Sequence, residues 1–199
     1  MRDNRERMTP ATIAAANGDA DAIRKLAAER VDLNARDENG QTPADGAAQY
    51  GHANVIQALA VAKADLNAKD RDLNTPATWA AINGHSNVIQ ALADAKVDLN
   101  AKGKYGQSPA PWAASHGHSN VIQVLAAEGV DLDAQDENGN TPAIWAAQNG
   151  HAGVIQVLAE AKADLNAKDI DGHTPATWAA QNGHAGVSSL SGSKSRFKC

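Results

Sequence analysis

Six of the seven prolines in this chain, Pro10, Pro43, Pro76, Pro109, Pro142 and Pro175, stand 33 residues apart. Each follows a hydroxyl residue, in turn Thr9, Thr42, Thr75, Ser108, Thr141 and Thr174. Glycine keeps the same beat at Gly18, Gly51, Gly84, Gly117, Gly150 and Gly183. A fixed period of this length is the mark of a repeat array, in which one copy is too small to bury its own apolar face and each is stabilised by its neighbours. The 199 residues therefore read as a stack of thin layers and not as one globular core.

The unit, TPATWAAINGHSNVIQALADAKVDLNAKGKYGQ from Thr75, occurs five times in full and is cut short in the sixth copy. Thr or Ser followed by Pro predicts a helix N-cap and its first residue, because proline fixes φ where the missing N–H would have had no partner. The alanine-rich stretch after it predicts a helix of about two turns, stopped by glycine in a left-handed conformation. VIQALADA and its variants carry apolar residues at helical spacing and predict a second, longer helix. The segment DLNAKD-x-x-G then predicts a hairpin-like polar turn.

This pattern resembles the ankyrin repeat. In the fifth copy the matching residues are Asp136 and Gly139 in the turn, Thr141-Pro142, Ala146-Ala147, Gly150-His151, Val154-Ile155, Leu158 and Asp164 to Ala167. The resemblance implies an all-α solenoid of helix–turn–helix units joined by hairpin-like turns. It runs over residues 9–187, with copies starting at 9, 42, 75, 108, 141 and 174. Residues 1–8 form a polar lead-in. Residues 188–199 read as a Ser/Gly/Lys tail that is expected to be poorly ordered.

Several positions depart from the family pattern. Family members usually carry Leu-His after Thr-Pro, and the first of these is always alanine here, as in Ala44 and Ala77. The second residue of the usual Leu-Leu pair of helix 2 is also alanine, as in Leu92-Ala93. A leucine-to-alanine change that leaves a hole costs about 2–5 kcal/mol, so a compensating filler is expected. Trp79, Trp112, Trp145 and Trp178 recur at one repeat position and are the natural candidates for core filling. Copy 2 has Asp45-Gly46 in their place. Its first helix, over 42–50, is therefore expected to be soft or under-packed, either as a tolerated defect or as a small pocket near Gly46 and Tyr50. The defect is the simpler reading. Leu73 stands where the turn glycine belongs, and Gly103 replaces the turn aspartate. At the array's ends, Arg24 and Lys25 in the second helix of copy 1 fit a polar cap. Copy 6 stops without one, which raises the alternative that the chain is a fragment or targeting arm of a larger enzyme or effector.

No catalytic constellation emerges. His52, His85, His118, His151 and His184 share one repeat position and lie too far apart along an array to hold one zinc ion, so they are expected to tie loop backbone between helices. Asp65, Asp98, Asp131 and Asp164, with Asn34, Asn67, Asn100, Asn166 and Asp133, recur as turn residues. An active site needs different groups converging on one point, and no phosphate-loop, dinucleotide, nucleophile-elbow or zinc-helix motif is present. No cofactor, no metal and no enzymatic activity are expected. The single cysteine, Cys199, rules out an internal disulfide.

Charge and hydropathy narrow the partner. Residues 9–187 hold 12 basic and 21 acidic residues, a balance of −9, which weighs against nucleic acid. Neither a spanning apolar run nor a secretory signal is visible, so a soluble cytoplasmic protein is expected. By the resemblance, a protein partner is held by turn tips and the inner face of the first helices. On that strip Tyr50, Ile82, Tyr105 and Ile170 are apolar where water is expected. Lys69, Arg71, Lys102 and Lys104 make a basic spot suited to an acidic segment, and His116 lies on the same strip. The candidate partner-binding set is Tyr50, Arg71, Ile82, Lys102, Lys104, Tyr105, His116 and Ile170. The chain is expected to be a monomer unless its uncapped end self-associates, acting as a non-enzymatic interaction scaffold.

Overall fold

A computed structural model describes residues 8–187, and the 188–199 tail with Cys199 lies outside the described residues. The chain divides into two compact units, Met1–Lys104 and Tyr105–Cys199. Among the described residues the regular structure is helical, as the repeat solenoid requires, and a membrane-spanning helix is absent.

In the first unit, α1 (Pro10–Ala16), α3 (Pro43–Gln49) and α5 (Pro76–Ile82) form one layer. The second layer holds α2 (Ala20–Ala28), α4 (Ala53–Val61) and α6 (Ser86–Asp94). Neighbours within each layer pack on one another, and each short helix packs on the longer one that follows it. The second unit repeats the plan. Its first layer is α7 (Pro109–Ser115), α9 (Pro142–Gln148) and α11 (Pro175–Gln181), and its second layer is α8 (Ser119–Ala127) and α10 (Ala152–Glu160). A 3-10 turn, Lys104–Gly106, lies where the chain passes from one unit to the other.

Five of the six short helices begin as the sequence predicts, while Ser108 ahead of α7 makes no side-chain cap bond. Thr9, Thr42, Thr75, Thr141 and Thr174 each accept a hydrogen bond from the N–H three residues on, with proline in the first turn. Each of these helices stops at a left-handed glycine, such as Gly51 at φ 81° and Gly84 at φ 76°. Gly51 has a second reason to be glycine: a Cβ there would lie 2.8 Å from the His85 ring. The longer helices stop on residues in the same left-handed region, of which Arg30, Lys63, Lys96 and Lys162 carry side chains.

The core differs from the tryptophan-filled one expected. Its largest fully buried side chains are aliphatic, among them Ile56, Leu59, Ile89, Leu92, Ile122, Leu125 and Leu158. Ala44, Ala77, Ala110 and Ala143 are at most 2% exposed, so the alanines that stand in place of leucine are themselves part of the core. The four tryptophans are only partly buried. Three of them point their indole N–H back to the aspartate that opens the preceding turn. Trp79 Nε1 donates to Asp70 Oδ2 at 3.0 Å, Trp145 to Asp136 at 3.0 Å and Trp178 to Asp169 at 2.8 Å. The tryptophan thus fastens the first helix to its own turn. Indole N–H groups need a partner when buried, and the aspartate supplies a charged one.

Adjacent copies are joined by equivalent bonds. The Nε2 of His52 meets the Ala16 carbonyl and that of His85 the Gln49 carbonyl, both at 3.1 Å. In the second unit His151 meets Ser115 at 3.0 Å and His184 meets Gln148 at 3.1 Å. The expected role of these histidines as backbone ties holds for those four. At the turns, Asn34 and Asn67 accept from the N–H of Asp65 and Asp98 one copy on, and Asp133 accepts from Asp164.

Candidate functional site

The helix–turn side of the first unit holds a cavity of about 400 Å³, with Asp37, Gly46, Tyr50, Asp70, Arg71 and Trp79 among its lining residues. Its origin is local to copy 2. At the turn that ends copy 2, Asp70 uses Oδ1 to accept the N–H groups of Asp72 and Asn74, and Oδ2 to accept the Trp79 indole of the next helix. Asp37 uses Oδ1 in the same way, accepting from Asn39 and Gln41 at 2.8 and 2.9 Å. Its helix offers no indole, because the residue nine positions on is Gly46. The carboxylate is 9% exposed and opens onto the space that the ring fills elsewhere.

The helix beside this cavity is fully formed and capped. α3 has the same length as its counterparts, and Thr42 and Asp45 form a reciprocal capping box. Asp45 Oδ2 accepts from the Thr42 N–H at 2.8 Å and from its hydroxyl at 2.9 Å. The residue that replaced threonine therefore holds the helix start, and the under-packing is confined to the Gly46 side. Asp45 is fully buried and its Oδ1 has no partner. Burial pushes its pKa up to about 7, against the lowering effect of the two Thr42 hydrogen bonds.

The eight partner-binding candidates fall in both units. In the first, Tyr50 and Arg71 line the cavity together. Tyr50 is 55% exposed at the end of α3. The Arg71 stem covers Gly40, where a Cβ would lie 2.9 Å from its Cγ. Lys104 stands at the same rim through an ion pair of 3.6 Å with Asp72. Ile82 is half-buried at the end of α5, and Lys102 is exposed on its turn. Neither lines the cavity.

The basic spot is partly spent on the fold. Lys69 Nζ donates to the Lys102 carbonyl at 2.8 Å, and the Arg36 guanidinium donates to the Lys69 carbonyl. Lys104 faces Asp72, as above. Arg71 is the member most open to a partner.

In the second unit, Tyr105 is 55% exposed and Ile170 is 71% exposed. The turn between their copies links them. The Tyr105 carbonyl accepts from the Glu137 N–H at 3.2 Å, and the Ile170 N–H donates to the Asn138 carbonyl at 3.2 Å. His116 is exposed, with Nδ1 2.9 Å from the Trp112 carbonyl and its ring stacked on His118 at 6.0–6.1 Å from its two aromatic neighbours. It is not joined to the tip pair by any bond described.

One acidic group has a metal-like spacing. The ligand atoms of Asp169, Asp171 and His173 lie within 4.8 Å of one another. The Asp169 carboxylate is already occupied. Oδ1 accepts from the N–H groups of Asp171 and His173 at 3.0 and 2.8 Å, and Oδ2 accepts the Trp178 indole. Burial raises its pKa, but the Trp178 bond, the two backbone N–H groups and the His173 charge together outweigh it and hold the carboxyl below its usual range. That donor set is the turn's own.

Sequence reasoning missed Asp37, Asp70 and Trp79 as parts of one site. The signal was present as an aspartate nine residues ahead of Trp79, Trp145 and Trp178; ahead of Trp112 it is replaced by Gly103, and Asp37 keeps its place while the tryptophan is replaced by Gly46. A family model described as "Ankyrin repeats (3 copies)" matches residues 1–70, 46–136 and 112–196. No curated protein matches the chain.

Proposed function

The chain belongs to the ankyrin-repeat family, and from that premise we propose that it is a non-enzymatic scaffold that binds another protein through its turn tips and first helices. Ankyrin repeats are in general modules for protein–protein interaction, and the array's recurrent polar groups are committed to holding copies together. The observation that carries the reading is Tyr50, an exposed aromatic beside a cavity on the first-helix side of its unit, with Arg71 on the same wall. Aromatic and arginine side chains at a recess are the usual anchors of an interface. An acidic segment of the partner would meet Arg71, Lys102 and Lys104 at the neighbouring tips. The scaffold is built before the partner arrives, so little ordering entropy opposes binding.

The test is affinity capture from the source cell with the wild-type chain and with a Tyr50→Ala, Tyr105→Ala, Lys104→Ala variant, both checked for native circular dichroism. A protein retained by the wild type and lost from the folded variant supports the reading. Equal retention by both rejects this surface.

A further inference from the structure

We propose that the cavity between Asp37 and Gly46 is a receptor for a tryptophan side chain donated by the partner protein, an inference that rests on the interaction reading above and names its anchor. The argument is internal to the molecule. Three copies place an indole against a turn aspartate, with Nε1 to Oδ2 distances of 2.8–3.0 Å. At the turn ahead of copy 2 the aspartate, Asp37, is kept, its Oδ1 holds the same two turn N–H groups, and the side chain that would supply the indole is absent at Gly46. What remains is a recess of about 400 Å³, within the roughly 300–1,000 Å³ range of ligand sites.

The chemistry of the walls selects an indole over other aromatics. Asp37 is nine-tenths buried and presents one carboxylate oxygen as an acceptor. Tyr50, Trp79 and Arg71 line the same recess, and aromatic rings and a guanidinium are groups against which an indole packs favourably. Asp70 Oδ2 is taken by Trp79, and Asp72 faces Lys104. Of the carboxylates along this wall, Asp37 is thus the one left to receive a donor. Phenylalanine would bring no donor to it and would leave the charge desolvated without a partner. An indole N–H satisfies it and fills the space.

The probe is the peptide acetyl-Gly-Gly-Trp-Gly-Gly-amide, titrated into the ¹⁵N-labelled full chain and followed by amide chemical shifts. Saturable shifts at Asp37, Asn39, Gly46 and Tyr50 are expected. The 1-methyltryptophan and phenylalanine peptides should bind at least five-fold more weakly. Gly46→Trp, which plugs the recess with the chain's own indole, should abolish the shifts while the protein stays folded, and Asp37→Asn should weaken them at least five-fold. Equal binding of the methylated peptide, unchanged binding to Gly46→Trp, or no saturable shift at millimolar peptide overturns the inference. Free indole is a further arm: if it binds and the peptide does not, the recess is a small-molecule site and the proposal fails. Partner loss in the triple-alanine capture, combined with no peptide binding, removes the indole receptor and leaves the interaction reading standing.

Discussion

Asp45 makes a pH experiment informative because its burial and its capping role pull in opposite directions. The carboxyl is buried, with Oδ1 unpartnered and Oδ2 capping Thr42, and its pKa rises from 3.8 to about 7 in the folded chain. For an acid whose folded pKa is raised, the native state holds a proton that the unfolded chain releases. Stability then falls as pH rises between the two values and is level beyond them. A rise of about three units at 1.36 kcal/mol each gives an upper bound of roughly 4 kcal/mol lost between about pH 4 and pH 7, or about 1.4 kcal/mol per pH unit at the steepest. Asp45→Thr removes the titration and keeps the cap, because Thr177 already accepts from the Thr174 N–H in the same way in the last copy. Urea unfolding followed at 222 nm from pH 4.5 to 8 should give a wild-type stability that declines relative to the variant across that window. The difference should flatten above about pH 7.5. Asp169, whose pKa is lowered, acts with the opposite sign in both proteins and cancels from the difference. Parallel profiles for the two proteins, or a variant that loses stability relative to wild type as pH rises, would refute this account of the buried carboxyl.

Further outcomes follow from packing and backbone geometry. Gly46→Trp should stabilise the chain. Its Cβ meets Thr12 and Ala16 at ordinary distances of 3.5–3.7 Å. Burying roughly 100 Å² of indole at about 25 cal/mol per Å², less about 1 kcal/mol of side-chain entropy, gives about 1.5 kcal/mol. The melting midpoint should rise by about 3–6 °C, and a fall would reject the indole–aspartate fastening. Leu73 occupies the left-handed region at φ 63°, where a side chain costs about 1–2 kcal/mol. Leu73→Gly should therefore stabilise the chain by about 0.5 kcal/mol after the entropy of the freer unfolded chain is counted, read as a slightly higher urea midpoint. His85→Ala leaves the Gln49 carbonyl without its tie. It should cost about 1–2 kcal/mol, read as a lower thermal midpoint, and an unchanged midpoint would show the tie to be dispensable.

The fold was legible because its determinants are local and repeated. Thr-Pro caps, left-handed glycines and the 3.6-residue spacing of Val88, Ile89 and Leu92 each point to a helix boundary or face without reference to the rest of the chain. The site was legible in part. Gly46 and Tyr50 stood out as an irregularity, but the tryptophans were assigned to the core on size alone. The correct reading needed the turn to fold back, so that Asp70 lies under Trp79, a contact across nine residues that no helical or strand period encodes. Asp45 was read as a loss beside a lost tryptophan, although Thr42-x-x-Asp45 is itself a capping-box spacing. The basic spot looked intact because sequence shows charge and not its partners. Only the coordinates put Lys69 on the Lys102 carbonyl and Lys104 against Asp72.

The histidine and asparagine ties have a consequence for how such a chain can change. Each joins a side chain to a backbone group one copy away, and the receiving group is a carbonyl or N–H that every residue but proline can offer. Excising residues 42–74 would bring His85 to the Ala16 carbonyl that His52 uses now, and Asp98 to Asn34 in place of Asp65. The splice would keep these two ties at the seam. It would also delete Asp37's neighbouring helix with Gly46 and Tyr50, and the recess with them. Whole copies can thus be lost at this joint with its ties kept, whereas the recess depends on Gly46 and Tyr50 and would go with their copy.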